Sequence, residues 1–528
     1  MTNNDTLDEK EARVDASQIV VVNLADVIPV NPKPWYLTKH MALLNLLLVV
    51  PLLSAATIGF DGALMNSLQA LTPWKTYFNH PNSSILGTMN AIFSVGKILG
   101  IGPAAWMVDR FGRKRPIWIG LICLVCATVL QGAAQNTAMF IVSRLLLGIF
   151  TAFIAQASPI LVAELAFPTH RGKATAMYQT SYYIGAIYAS WSTFGTSHMT
   201  TSWSWRIPSI LQGTLPLLQF IFLYFVPESP RWLIAQGRHN EARALLMKWH
   251  GGGRDDDEEI VAFIDHEMRQ IDESVATEQH ALRTTGYLDL LRTPGNRRRT
   301  IIAAIVGFFA QWNGIGVVSY YLTLVLNNVG ITKATDQTLI AGCLQIFNWL
   351  AAILAGALMI DKLGRRLLFL VSVAGMFVSY IAWTVLSGLF TTDSTKYHNL
   401  AGGVVAFIFI CYFFYDIAWA PLLLAYPVEI FPYALRSRGV AVTYSSTFIG
   451  LIISQFVNPI AMAHLGWKYY CVFLAILFCL FFAIYFLFPE TRGHSLEEIA
   501  EIFDGPAGND STTTSGQKVE LSQVEKAQ

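Results

Sequence analysis

Four charged residues interrupt otherwise apolar runs: Asp61, Lys97, Arg144 and Asp416. At the centre of a bilayer such a charge costs on the order of 2.5–3.5 kcal/mol on insertion scales, so each needs a partner or a task. Asp61 and Arg144 lie near the outer ends of segments that should run in opposite directions, which puts them at similar depth. They suit an ion pair in which a proton taken by Asp61 releases Arg144; a static pair is the plainer reading. Lys97 and Asp416 sit in the middles of two other segments. A salt bridge between them fits, and so does a water-facing position for each. Asp416 is then a second proton carrier, and Lys97 snorkels or lines a cavity.

Neutral polar groups also recur mid-segment: Gln179, Gln311, Asn313 and Asn348, beside Trp312, Tyr320, Tyr321 and Trp419. Amides as close as Gln311 and Asn313 are expensive in an apolar helix unless paired. Sugar hydroxyls take amide and hydroxyl partners, and pyranose faces stack on aromatic rings, so these residues are the candidate ligand contacts. A third, charged set flanks the segments: Asp109, Arg113, Glu164, Arg171, Glu228, Asp361, Arg365, Glu429, Arg436 and Glu490. Acids matched to bases at tight Gly turns suit ion pairs that hold an inner gate closed. A need for positive charge on one side of a membrane would leave the acids unexplained.

Metal and cofactor chemistry finds little support. The His residues lie in tails, loops or segment edges, and no Walker A motif is present. Cys123 and Cys126 have CxxC spacing but lie in an apolar run with no second pair. No enzyme activity and no cofactor are expected, with a proton gradient as the driving force.

The elements that must position these residues follow from composition. The 528 residues are 54% hydrophobic and 13% charged, with net charge +1, and mean hydropathy is +0.45. Soluble proteins carry about 25% charged residues, so a soluble enzyme, a disordered scaffold and a basic nucleic-acid binder are excluded. A lipid bilayer is the expected surrounding. A membrane helix needs about 20 mostly apolar residues. Twelve segments qualify: 41–64, 85–108, 117–134, 138–163, 174–192, 207–226, 300–325, 337–360, 367–389, 401–426, 440–463 and 469–488. The first apolar run is too long for a signal-peptide core, so no cleaved signal is expected. Residues 1–40 read as a polar tail, 227–299 as a soluble helical connector, and 489–528 as a second tail, disordered after 505.

Loops after even segments carry eleven Lys and Arg, those after odd segments five. That asymmetry puts both termini in the cytoplasm of a multi-pass, plasma-membrane protein. The sequon at Asn82 then falls outside, where a glycan can attach; those at Asn4 and Asn509 are chance matches.

The chain also repeats itself. Asp109-Arg-Phe-Gly-Arg-Lys114 follows segment two, and Asp361-Lys-Leu-Gly-Arg-Arg366 follows segment eight. Glu164 precedes Arg171 by seven residues, as Glu429 precedes Arg436; Pro227-Glu228 ends segment six, as Pro489-Glu490 ends segment twelve. The expected fold is therefore all-α and integral to the membrane, with twelve transmembrane helices in two parallel halves, 41–226 and 300–488. Two such halves around a midplane site are the plan of rocker-switch transporters.

Over roughly residues 40–500 the chain resembles the sugar porter family of the major facilitator superfamily. The resemblance rests on Gly59-Phe60-Asp61, DRFGRK, Arg144 with Ser158-Pro159 and Glu164, and Gln179 with Gly185. It continues through PESPRWL (227–233), DKLGRR, EIFPYALR (429–436) and PETRG (489–493). AQWNGIGVVSYYL (310–322) and LRTPGNRRR (291–299) are most similar to the fungal lactose permease and cellodextrin transporter branch. The resemblance implies carbohydrate import by alternating access, as a monomer and often with protons. Asp61 and Arg144 match the proton-coupling positions of a bacterial xylose–proton symporter, and Gln179 and Gln311 match sugar-binding glutamines. Where hexose porters carry paired glutamines, this chain has Ala310-Gln311; Gly316, Leu424 and Thr447-Phe448 replace larger or more polar groups, and Asn348 is one position off. These departures favour a disaccharide, polyol or glycoside. A transporter or exporter of a non-sugar metabolite and a non-transporting sugar sensor are the alternatives.

Overall fold

The computed structural model describes residues 34–358, 360–392, 400–494 and 496–505, which form helices and turns with no strand among them. The first five long helices are α1 (Lys39–Leu68), α2 (Ser83–Phe111), α3 (Lys114–Gly132), α4 (Thr137–Leu165) and α5 (Arg171–Thr196). The sixth segment divides into α6 (Trp203–Leu211) and α7 (Thr214–Leu223). After the connector helices α8 (His239–Trp249) and α9 (Glu258–Thr284) comes a divided seventh segment, α10 (Pro294–Trp312) and α11 (Ile315–Asn328). The remainder are α12 (Ala334–Leu358), α13 (Arg365–Thr392), the divided α14 (Leu400–Asp416) and α15 (Trp419–Ile430), α16 (Tyr433–Leu465), α17 (Tyr470–Leu487) and α18 (Leu496–Asp504).

Among the described residues all twelve expected segments are largely helical, most ends lying within about four residues of the expected bounds, while the seventh and eleventh begin at Pro294 and Tyr433 rather than 300 and 440. By length and apolarity, nine helical stretches among the described residues can each cross a bilayer. The last of them, Tyr433–Leu487, holds both α16 and α17. The rest of the difference lies in α5, which carries many hydroxyl groups, and in the sixth segment, whose two pieces are each short. Asn82 caps α2 by accepting the Ile85 N–H (2.8 Å), and Asn136 caps α4 by accepting from Met139 (2.8 Å). The Asn82 side chain is exposed as well as capping.

The break between α10 and α11 has a local cause. Gly314 adopts φ +97°, a conformation that other residues rarely take. Asn313 then caps the new helix by accepting the Ile315 N–H (3.2 Å), while Tyr380 donates to the Gly314 carbonyl (2.6 Å). Helices interrupted at mid-depth are the elements from which transporters build their sites. Elsewhere close approach decides. A Cβ on Gly185 would lie 1.7 Å from the Ala56 carbonyl oxygen, and one on Gly59 would lie 1.8 Å from that of Tyr182. Helices α1 and α5 therefore pack backbone against backbone.

The chain divides into two compact units. The smaller holds the described residues up to Leu46 together with Ser229–Ala276, so only part of the expected connector, 227–299, belongs to it. Its core packs Trp232, Leu233, Ile234 and Ala242, and a buried His250–Glu267 pair closes at 2.9 Å. Within it Ser229 caps the short helix Pro230–Ala235 by accepting the Trp232 N–H (3.1 Å). The larger unit, Leu47–Glu228 with 277 onward, contains the second six-helix half and all of the first except the start of α1. One end of it carries Arg110, Arg113, Lys114, Arg365 and Arg366 and is called the charged end below; the other is the far end.

Candidate functional site

The repeated motifs fold into repeated staples. Arg113 grips Glu164 through two nitrogens, Nε and Nη2, each at 2.9 Å. Glu228 meanwhile accepts the backbone N–H groups of Arg113 (3.0 Å) and Lys114 (3.2 Å), a carboxylate seated at the start of α3. In the second half Arg365 grips Glu429 at 3.0–3.2 Å, and Glu490 accepts from the N–H groups of Arg365 (2.8 Å) and Arg366 (3.1 Å). Each staple ties one half to itself. The expected ion pairs between acids and bases do form at Arg113–Glu164 and Arg365–Glu429, each within its own half. Asp109 and Arg171 are exposed, Arg436 lies 5.7 Å over the Tyr433 ring, and the Asp361 side chain lies outside the described residues. His170, in the turn before α5, is held below the usual histidine range, first by burial and then by Lys173.

Deeper in, three of the four intramembrane charges meet at one cavity of about 160 Å³, room for on the order of ten waters. Asp61, Lys97 and Arg144 line it from the first half, and Tyr320, Leu451 and Gln455 from the second. Arg144 is buried and bridges three helices. It donates to Asp61 Oδ1 (3.1 Å) on α1 and to the Met89 carbonyl (2.9 Å) on α2, and it lies 5.1 Å over the Phe93 ring. Asp61 Oδ1 also accepts from Gln212 (2.9 Å), while Oδ2 is buried and without a hydrogen-bond partner among the described residues. A proton can add at Oδ2 without displacing either donor. Lys97 Nζ lies 4.5 Å over the same Phe93 ring.

Asp416 takes a different partner from the one the sequence suggested. Its Oδ1 accepts from Tyr183 (3.1 Å), a residue of α5, so this bond joins the two halves without Lys97. Five more bonds join them between there and the far end. Asn66 accepts the Leu322 N–H (3.1 Å) at Oδ1 and the Thr323 hydroxyl (3.3 Å) at its carbonyl, and Gln69 donates to the Tyr320 carbonyl (3.0 Å). Asn90 donates to Tyr321 (3.2 Å) and Ser94 to Gln455 (2.7 Å). The Leu322 N–H needs Asn66 because Tyr321 leaves helical geometry at φ −140°. This seam closes the far end of the cavity.

Of the candidate ligand residues, Tyr320 lines this cavity and the others lie elsewhere. Trp312 donates to the Gly450 carbonyl (2.9 Å), Asn313 caps α11, and Tyr321 is held between Asn90 and the Gln455 carbonyl. Asn348 and Trp419 are buried, Trp419 edge-on to Phe369; Gln311 is half-buried and Gln179 exposed. Sequence reasoning missed Gln212, Tyr182, Asn66, Gln69, Asn90, Ser94 and Gln455. Asn90, Gln212 and Gln455 carried the clearest signal, as amides inside expected membrane segments.

The seam makes a prediction. Asn66→Ala strands the buried Leu322 N–H, a loss of about 1–3 kcal/mol. Amide hydrogen exchange over residues 320–326 should speed up about tenfold or more. Unchanged exchange there would show that Asn66 does not hold the seam.

A family model described as Sugar (and other) transporter matches residues 47–503. An MFS-type transporter of Aspergillus cristatus is 28% identical over 456 residues, 86% of this chain and 92% of the relative. A high-affinity glucose transporter of Kluyveromyces lactis is 29% identical over 474 residues, 85% and 83% respectively. Among solved structures, the proton:xylose symporter XylE of E. coli superposes with TM-score 0.67 at 21% identity, covering 88% of this chain and all of that one.

Proposed function

The chain belongs to the sugar (and other) transporter family, and from that premise we propose that it imports a carbohydrate across the plasma membrane together with a proton. The single observation that carries the coupling is the buried Asp61–Arg144 pair beside a cavity between the halves, whose carboxylate keeps one oxygen without a hydrogen-bond partner among the described residues. The names of its relatives, glucose transporter and proton:xylose symporter, support the substrate class.

In this reading the charged end faces the cytoplasm, where the Lys and Arg of the even loops belong. The far-end seam then separates the cavity from the outside. When that seam parts, a proton reaches Asp61 Oδ2 and sugar enters from outside. Neutral Asp61 holds Arg144 less tightly, so the guanidinium is free to turn toward the substrate. The seam re-forms, the halves part at the charged end, and sugar and proton leave. The staples keep each half intact while it moves.

External pH in a weakly buffered suspension of transporter-deficient cells tests the proposal. Alkalinisation on adding glucose, xylose, lactose or cellobiose is the expected result. Labelled uptake of the same sugar with no pH change would remove the proton from the mechanism, and neither response from surface-expressed protein would remove the sugar. The scatter of the candidate ligand residues away from the cavity favours a second reading, a non-sugar metabolite as cargo.

A further inference from the structure

The cavity holds one more positive than negative side chain. Its charged lining is Asp61, Arg144 and Lys97. Asp61 is committed to Arg144 and Gln212, and Lys97 makes no ion pair among the described residues. Both cations lie over one ring, with Arg144 Cζ at 5.1 Å and Lys97 Nζ at 4.5 Å from the Phe93 centroid. An aromatic face offsets only part of the cost of holding an ammonium in apolar surroundings. Two cations sharing it also repel one another.

The ordinary escape for an intramembrane lysine is to reach along its stem to the headgroups. Lys97 has no such route. It is fourteen residues from each end of α2 (97 − 83 and 111 − 97). At about 1.5 Å per residue that is about 21 Å either way, well beyond the reach of four methylenes. Lys97 stays at mid-depth, partly buried, in a cavity that Ser94 and Gln455 also line.

We infer that the substrate brings the missing negative charge: a carbohydrate bearing a carboxylate, such as an aldonic or uronic acid, with Lys97 as its counter-cation. The inference rests on the proposed carbohydrate transport and narrows its substrate class. The carboxylate sits against Lys97, while Tyr182, Tyr320 and the Gln455 amide face the hydroxyl-bearing remainder. Ser94, donating to Gln455 Oε1 (2.7 Å), orients that amide with its nitrogen as the donor. Protonation of Asp61 leaves the site with two uncompensated cations, so proton and anion strengthen each other's binding.

The test uses the purified full-length chain, with D-glucose, D-gluconate and D-glucuronate as probes in ligand-induced thermal stabilisation and in proteoliposome uptake. One acid should bind at a concentration about tenfold or more below that for glucose, and Lys97→Gln should lose about tenfold of that preference while Lys97→Arg keeps it. Acids that bind no better than glucose, or equally well to Lys97→Gln, would overturn the inference and leave carbohydrate transport standing. No binding or uptake of any of the three would overturn both. If Lys97→Gln does not fold, the wild-type comparison of acid with glucose still decides.

Discussion

Asp61→Asn should abolish concentrative uptake. A two-unit pH difference is worth about 2.7 kcal/mol per proton, about a hundredfold accumulation, and the whole of it should vanish. Asparagine keeps an oxygen for Arg144 and Gln212, so the helices remain joined, but it cannot take a proton. Counterflow exchange of labelled for unlabelled substrate in vesicles should therefore survive while net accumulation falls to equilibrium. A mutant that still accumulates substrate against its gradient would place the coupling proton elsewhere, with Asp416 the next residue to replace.

A single methyl group at Gly185 should be almost as damaging, by another route. Its carbon would sit 1.7 Å from the Ala56 carbonyl oxygen, half of an ordinary contact, and backbone rather than a flexible side chain stands in the way. Helices α1 and α5 must separate, and α1 carries Asp61 while α5 carries Tyr182 and Tyr183. Overpacking of this kind costs about 1–3 kcal/mol, which in a chain of this length should lower the melting midpoint in detergent by about 1–3 °C. Gly195→Ala, in the same helix but facing open space, is the control. Equal melting of the two variants would mean that the helix contact yields.

The membrane segments were legible because apolar length is a property of a single stretch of chain. The pairing of Asp61 with Arg144 was legible for a related reason, since two isolated charges at one depth have few other partners. The seam was not. Asn66 meets Leu322 across 256 positions, and nothing in an isolated asparagine says that a kinked backbone will need it. The candidate ligand residues mislead for the opposite reason. Trp312, Asn313 and Tyr321 look free for a ligand in sequence, yet each meets a polar group of the fold itself, at Gly450, Ile315 and Gln455. The gate motifs announced their charges but not their distances, and it is distance that confines each staple to one half.

The seam also has a chemical character of its own. Its five far-end bonds use amides, hydroxyls and backbone groups, with no ionised member. Dissolved electrolytes weaken attraction between exposed charges and leave neutral hydrogen bonds nearly untouched. In the proposed orientation, with the charged end inside, the door that meets a changing medium is closed by groups indifferent to its acidity and ionic strength. The staples, which do depend on charge, lie in that same orientation on the side whose composition the cell itself controls.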